Sequence, residues 1–402
     1  MNAVGFLGLL RSIYGKKLPD LEKIQDKGLL AVKIAQHFAL RIDFLDERVC
    51  RHLSQLYRNT RPLPAEDSQA LLNNYVDRSW FDHVKDLNPV PFASASVGQV
   101  HHARLRDGTK VIVKIIKKDF TRKFLRDLRS LRRLFRIALF FYPKLRKVFD
   151  PMGILDHIED YTVAELDLRN EIAGKETLEE IKNEYQDRYD LSRLRFPKFY
   201  PELSNENVLV AKLIQGETFD ELLEKGALSY SSLLDLFNIH GFYLFKPGIF
   251  HGDIHPGNIL YDKEENINFV DTGALSRSGE KIRQGLFRFF KHLSSDDYNK
   301  SARTINEMAE KSVGGVKYER YRLKFLDLYK DFKNSTVSQV SLTKKMMDTI
   351  KLGVHSGMEF EKGMFSIIKS LMYLDGMVLR CKPDAVLLKD MRPFIQGFEK
   401  IL

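Results

Sequence analysis

"HGDIHPGNIL", residues 251–260, is the stretch on which the reading of this chain turns. His251 and His255 stand four apart, a spacing that zinc-binding helices use. Pro256 follows at once, however, and a proline inside a helix removes a hydrogen bond and clashes with the preceding turn. Asp253 and Asn258 support a stronger reading. Kinase catalytic loops place an aspartate five residues before an asparagine; the aspartate takes or orients the proton of an acceptor hydroxyl, and the asparagine helps to hold Mg2+. Further on, "FVDTG" (269–273) puts Asp271 at the end of a strand beside a glycine, where kinases carry a second Mg2+-binding carboxylate. Thr272 occupies the place of the usual phenylalanine. Alone, Asp-Thr-Gly is an ordinary turn; the upstream loop at this distance favours the metal reading.

Working outward, Lys114 lies inside the apolar strand "VIVKII" (111–116). An unpaired charge against a buried face is costly. A kinase supplies partners for such a lysine, the α and β phosphates of ATP and a helix glutamate. "YTVAELDLRNEIAG" (161–174) offers Glu165, Asp167 and Glu171 as that acid. The phosphate-covering loop falls on "PFASASVGQV" (91–100). Here the alanines and serines Ala93, Ser94, Ala95 and Ser96 stand where glycine is expected, with Val97 completing the candidate nucleotide-binding loop, and alanine resists the positive φ that lets backbone approach phosphate closely.

The elements follow in a simple order. Residues 1–85 carry apolar positions at helical spacing, with "RPLP" (61–64) as a break. "VGQVHHARL" and "KVIVKII" read as strands joined by the turn "RDGT". A helix follows over 120–140, then a strand at "NVLVAKLI" (207–214). The hairpin "NILYD…INFVD" comes after the opening motif, and helices run from about 280 onward. The expectation is a two-lobed α+β protein with a helical N-terminal extension (1–85), a sheet-bearing N-lobe (86–215) and a helical C-lobe (216–402), binding its ligand between lobes.

The chain of 402 residues is long enough for a substantial core, with 44% hydrophobic residues and a net charge of +10. That charge favours anionic partners and says nothing about fold. Two cysteines, Cys50 and Cys381, exclude a secreted disulfide scaffold and suit a reducing compartment. No run approaches the roughly 20 apolar residues that span a bilayer. "MNAVGFLGLL" has no basic residue ahead of its apolar run, and acids follow early, so neither a signal nor a transit peptide is expected.

Taken together, "PFASASVGQVHHARLRDGTKVIVKI", "ELDLRNE", "HGDIHPGN", "VDTG" and the tail "IIKSLMYLDGMVLRCKPD" resemble the UbiB/AarF/ABC1-type (coenzyme Q8-like) atypical kinases, in the family's order and over nearly the whole chain. The resemblance implies a protein-kinase-like fold, Mg-ATP binding and ATPase activity. It also implies support of quinone or other isoprenoid-lipid metabolism, with quinone-biosynthesis enzymes or lipid intermediates as partners; it does not imply robust phosphorylation of proteins. The family's Lys-x-Gly-Gln motif appears here as "KIAQ", where Lys33 and Gln36 match and Ala35 departs. The resemblance implies that Lys33 reaches the Glu165/Asp167 pair, leaving Glu171 to partner Lys114. The family's Ala-Ala-Ala-Ser loop is Ala93-Ser94-Ala95-Ser96, and the extra hydroxyl of Ser94 is a candidate phosphate ligand or acceptor. The C-terminal transmembrane pair of some relatives is missing, so the expected location is the cytoplasm with peripheral contact at the inner face of a membrane.

Residues 120–147 carry ten basic residues and one acid. Phe124, Leu128, Leu131, Phe135 and Ala138 share one helical face, and Arg122, Arg126, Arg129, Arg132, Arg133 and Arg136 occupy much of the rest. The plain reading is a core-facing helix with a solvated basic side. The sharper one is docking to anionic lipid, where each basic residue near the surface contributes roughly 1 kcal/mol and "NAVGFLGLL" adds a shallow anchor. No nucleic-acid motif accompanies the charge. Two other functions compete with an atypical kinase. One is a small-molecule phosphotransferase of the aminoglycoside- or choline-kinase type, which shares the His-Gly-Asp loop. The other is a nucleotide-binding pseudokinase scaffold without turnover.

Overall fold

Val111, Val113 and Ile115 are buried to within 1% of their surface, while Ile112 and Lys114, between them, are only partly so. This two-residue period is that of a strand whose faces meet different surroundings. The computed structural model describes residues 3–39, 45–57, 60–117, 120–141, 151–361 and 364–402. The chain separates into two compact units, Met1–Ala173 with Pro197–Leu213, and Gly174–Phe196 with Ile214–Leu402. The helices of the N-terminal segment are thus counted in the same unit as the sheet.

In the first unit, strand Gly98–Leu105 pairs antiparallel with Lys110–Ile116, which pairs in turn with Val208–Lys212. Two short strands, Val84–Lys85 and Ala93–Ser94, pair with the other edge of Gly98–Leu105. One face of this sheet packs Val111, Val113, Ile115, Val208 and Val210 against Leu72 and Trp80. A separate core gathers the helices around Leu29–Ala39, every residue of which is buried. Its polar members Lys33 and Gln36 are buried with partners, the Glu165 carboxylate and Leu56 O. Lys114, paired in register with Val100 and Leu209, projects from the face opposite Val113 and Ile115.

The basic helix runs Phe120–Phe141. Phe124, Leu128 and Leu131 are buried, and Phe135 meets Phe6 of the first helix edge-on at 5.2 Å. Arg132 departs from the expected solvated face: its guanidinium reaches Asp156 and Glu159 of helix Pro151–Glu165, both at 2.5 Å. The side chain of Ala138 and residues 142–147 of the basic stretch lie outside the described residues.

The second unit is mainly helical. Its core includes Phe219, Phe242, Phe250, Phe269, Phe289, Phe325 and Phe398. Strands Ile259–Asp262 and Ile267–Phe269 form the expected hairpin, flanked by Gly216–Thr218 and Leu194–Arg195. A second pair, Ile249–His251 with Leu275–Arg277, frames the catalytic-type loop. These flanking strands are two or three residues long, too short for a periodic pattern to reveal.

Candidate functional site

Strand Ile249–His251 delivers the chain to Gly252, whose N–H donates to Ala274 O at 2.6 Å. A Cβ on Gly252 would fall 2.3 Å from Ser276 Oγ and 2.8 Å from Ala274 O, so only glycine fits this approach. His251 is buried. Its Nδ1 faces the Asp253 N–H at 3.1 Å and its Nε2 faces Val270 O at 3.1 Å. This pairing requires a neutral ring with its proton on Nε2, and burial lowers its pKa accordingly. His251 therefore braces the loop against the residue that precedes Asp271. His255 Nδ1 accepts the Gly257 N–H at 3.1 Å, and its ring meets Tyr373 edge-on at 5.2 Å. Each imidazole has a backbone partner, and among the described residues no group of three or more His, Cys, Asp or Glu side chains gathers as a metal centre.

Pro256–Asn258 form a short 3-10 turn that folds Asn258 back onto Asp253. Asn258 Nδ2 donates to Asp253 O at 3.1 Å and lies 3.4 Å from Asp253 Oδ2. The Asp253 carboxylate is buried, and its Oδ1 meets Lys369 Nζ at 2.9 Å. Burial by itself would raise the pKa of Asp253; the charge of Lys369, then that of His255, overrides it and holds the carboxyl at about 2. Asp253 is thus an anion at neutral pH. Lys369 comes from helix Met364–Cys381 and was not singled out in the sequence. Its signal was present there, as a lysine among Ile367, Ile368 and Leu371 in an otherwise apolar stretch.

Val270 N donates to Asn258 O at 3.1 Å, which ties the asparagine to the strand that ends before Asp271. Asp271 has a φ of 57°, in the left-handed region. Aspartate tolerates that conformation better than most residues, and its cost of order 1 kcal/mol or more is met at functional sites. Thr272 is fully buried, and a Cβ on Gly174 would fall 2.0 Å from its carbonyl oxygen. Asn258 and Asp271 offer hard oxygen donors of the kind Mg2+ takes. With its Nδ2 turned to Asp253, the Asn258 amide keeps Oδ1 as the donor for a cation, so the residues present fit the ion.

In the first unit, Lys114 Nζ is ion-paired with Glu171. Lys33 Nζ is ion-paired with Glu165 and lies 5.1 Å from the centre of the Tyr161 ring. Gln36 donates to Leu56 O at 2.8 Å, and Ala35 is fully buried in the same helix. Asp167 departs from expectation. Its carboxylate takes Arg169 in a fork at 2.9 and 2.7 Å and accepts the Arg169 N–H at 3.1 Å, so it serves the start of the next helix and not Lys33.

The Ala93–Val97 loop is a tight hairpin closed by Ala95 N donating to Gly98 O at 2.9 Å. One expectation for it is corrected. Val97 is buried in the helical core and its carbonyl accepts the Lys117 N–H at 2.9 Å, so its side chain is no nucleotide contact. Ser94 Oγ donates to Thr60 O at 2.9 Å. Thr60 Oγ1 donates in turn to Ala95 O at 2.5 Å, and the buried Lys117 Nζ donates to Thr60 Oγ1 and Arg61 O, each at 2.9 Å. A strap at residues 60–61 thereby holds the loop, and no motif in the sequence points to it.

A family model described as the ABC1 atypical kinase-like domain matches residues 55–305. An uncharacterized protein in the hydrogenase 1 5' region of Clostridium pasteurianum is 25% identical over 395 residues, 95% of this chain and 71% of that protein. A probable protein kinase UbiB of Sodalis glossinidius is 24% identical over 393 residues, 94% of this chain and 69% of the relative. Among solved structures, the Rv3197–erythromycin complex of Mycobacterium tuberculosis aligns with a TM-score of 0.55 at 20% identity, covering 95% of this chain and 96% of that one.

Proposed function

The chain belongs to the ABC1 atypical kinase-like family, and we propose that it is an ATPase or kinase that binds Mg-ATP and supports quinone or other isoprenoid-lipid metabolism at a membrane surface. The observation that carries this reading is the buried Asp253 carboxylate, ion-paired with Lys369 at 2.9 Å, with the Asn258 amide five residues on bonded to the Asp253 backbone carbonyl and 3.4 Å from Oδ2. In this reading Lys114, fixed by Glu171, holds the phosphates. Asn258 and Asp271 hold Mg2+, which when bound neutralises phosphate charge. Asp253 takes the proton of the acceptor hydroxyl or water as its oxygen bonds to the terminal phosphorus; the bond to the bridging oxygen breaks and ADP leaves with the electron pair.

Support for the membrane part comes from the first unit. Arg122, Lys123, Arg126, Arg129, Arg133 and Arg136 are exposed, and so are Ile137 and Phe140 at the end of the same helix. The helix Ala3–Ile13, joined to it through Phe6 and Phe135, exposes Val4 and Leu7. Apolar side chains beside arginines suit an anionic interface. Among the described residues no helix is long and apolar enough to cross a membrane.

The test is ATP hydrolysis with Mg2+, with and without anionic liposomes, beside Asp271→Asn. Hydrolysis that rises with liposomes and vanishes in the variant is the expected result. Nucleotide binding without hydrolysis in either condition would favour the scaffold, and hydrolysis indifferent to lipid would turn the search to soluble hydroxyl acceptors.

A further inference from the structure

Lys369 lies some 115 residues beyond the catalytic-type loop, yet its ammonium is 2.9 Å from Asp253 Oδ1. Both side chains are buried, with only 8% and 12% of their surface exposed. Taking two charges out of water costs several kcal/mol each, and apolar side chains of similar volume generally serve stability as well or better. A buried ion pair is therefore weak evidence of a need for stability, and its place on the one aspartate of the "HGD" loop asks for another account. The same helix touches the loop one turn later, where Tyr373 meets the His255 ring and lies 5.8 Å from Lys369 Nζ. Residues four apart share one helix face, so Met364–Cys381 turns a single lysine-and-tyrosine face toward residues 253–255.

We propose that Lys369 is a positioning residue for the phosphoryl-transfer reaction: it fixes Asp253 Oδ1, so that Oδ2, on the side of Asn258, is the oxygen presented to the acceptor hydroxyl. This rests on the kinase reading given above and adds to it a residue outside every motif of the loop. The two carboxylate oxygens have different partners, Lys369 for Oδ1 and the Asn258 amide at 3.4 Å for Oδ2. A carboxylate held at one oxygen loses its rotational freedom before the acceptor arrives, and misplacement of a reacting group by about 1 Å can cost about 100-fold in rate.

The test is a double-mutant cycle in steady-state ATP hydrolysis by the full chain, with Asp253→Asn, Lys369→Met and the pair combined, beside Lys369→Arg. Lys369→Met is expected to lower kcat by about 100-fold with KM for ATP within about threefold, and Lys369→Arg is expected to recover part of the loss. In the Asp253→Asn background, Lys369→Met is expected to change the residual rate by less than about threefold, because residues acting as a unit are not additive. A role in stability alone would lower the melting temperature and the active fraction in both backgrounds and leave kcat per folded molecule intact; that result overturns the proposal. A Lys369→Met enzyme with unchanged kcat, while Asp253→Asn is inactive, overturns the proposal and spares the kinase reading. A wild-type protein that hydrolyses no ATP overturns both. If Lys369→Met does not fold, the Lys369→Arg enzyme decides: a lowered kcat at unchanged KM supports the proposal, and a wild-type kcat overturns it.

Discussion

The two loops on which the reading rests are held in opposite ways. The Asp253 loop is built mostly from its own neighbours. Asn258 bonds back across five residues, His251 across two, and the strand before Asp271 follows within a dozen. The Ala93–Val97 loop is held from a distance, by Thr60 some 34 residues upstream and by Lys117 some 20 residues downstream. A loop that supplies its own hydrogen-bond partners is legible as a motif, because spacing alone encodes the geometry. A loop clasped by remote residues is not, because nothing in "ASAS" points to Thr60.

The clasp also bears on the missing glycines. Gly-rich phosphate loops are mobile because glycine loses most freedom on ordering. Here the alanine and serine positions are closed into a hairpin and tied to the strap, so the structure substitutes fixed hydrogen bonds for flexibility. The Asp253 loop instead uses glycine where contact demands it, at Gly252, and Gly174 likewise opens the space that buried Thr272 needs.

Four changes sharpen or break this contrast. The largest effect is expected at the pair beside the strapped loop. Lys114→Met leaves Glu171 buried without its cation, at a cost of about 3 kcal/mol, and weakens nucleotide binding; chemical denaturation and nucleotide titration read the two losses separately. Next, Gly174→Ala must displace the backbone of Thr272 and is expected to destabilise the chain by about 2 kcal/mol, with turnover falling as Asp271 shifts. An unchanged denaturation midpoint would show that this contact yields without cost. Thr60→Val removes the hydroxyl that links Lys117 to Ala95, worth about 1–2 kcal/mol. Faster amide hydrogen exchange is expected at residues 93–98, with no change at 251–258; equal change in both would erase the contrast between the loops.

The smallest effect is a pH dependence. Burial lowers the pKa of Lys117 to about 8 from 10.5. Below about 8 the amine is charged in both folded and unfolded chains. Between about 8 and 10.5 the unfolded chain holds the proton more tightly, so stability rises with pH in that window. Lys117→Met is expected to flatten the rise, as read by denaturation midpoints across pH 7–10.

The fold was legible where patterns were long. The hairpin at 98–116, the strand at 207–214 and the helices after 280 follow from period and turn chemistry. The turn that folds Asn258 back onto Asp253 was legible from spacing. Asp167 was misassigned because Arg169, two residues away, competes for its carboxylate, and Val97 because a strand-end side chain can turn either way. Lys369 escaped because a lysine in an apolar helix reads as a surface residue until its partner is seen.

The most direct test of the central claim compares nucleotide binding with turnover in one variant. Calorimetric titration of ATP with Mg2+ and phosphate release under single-turnover conditions would be measured for the wild type and Asp253→Asn. The account predicts that both bind nucleotide with similar affinity, that the wild type releases phosphate, and that the variant loses at least about 100-fold in rate. Equal phosphate release by the two proteins would contradict it, because the anion at the centre of the loop would then have no part in the chemistry.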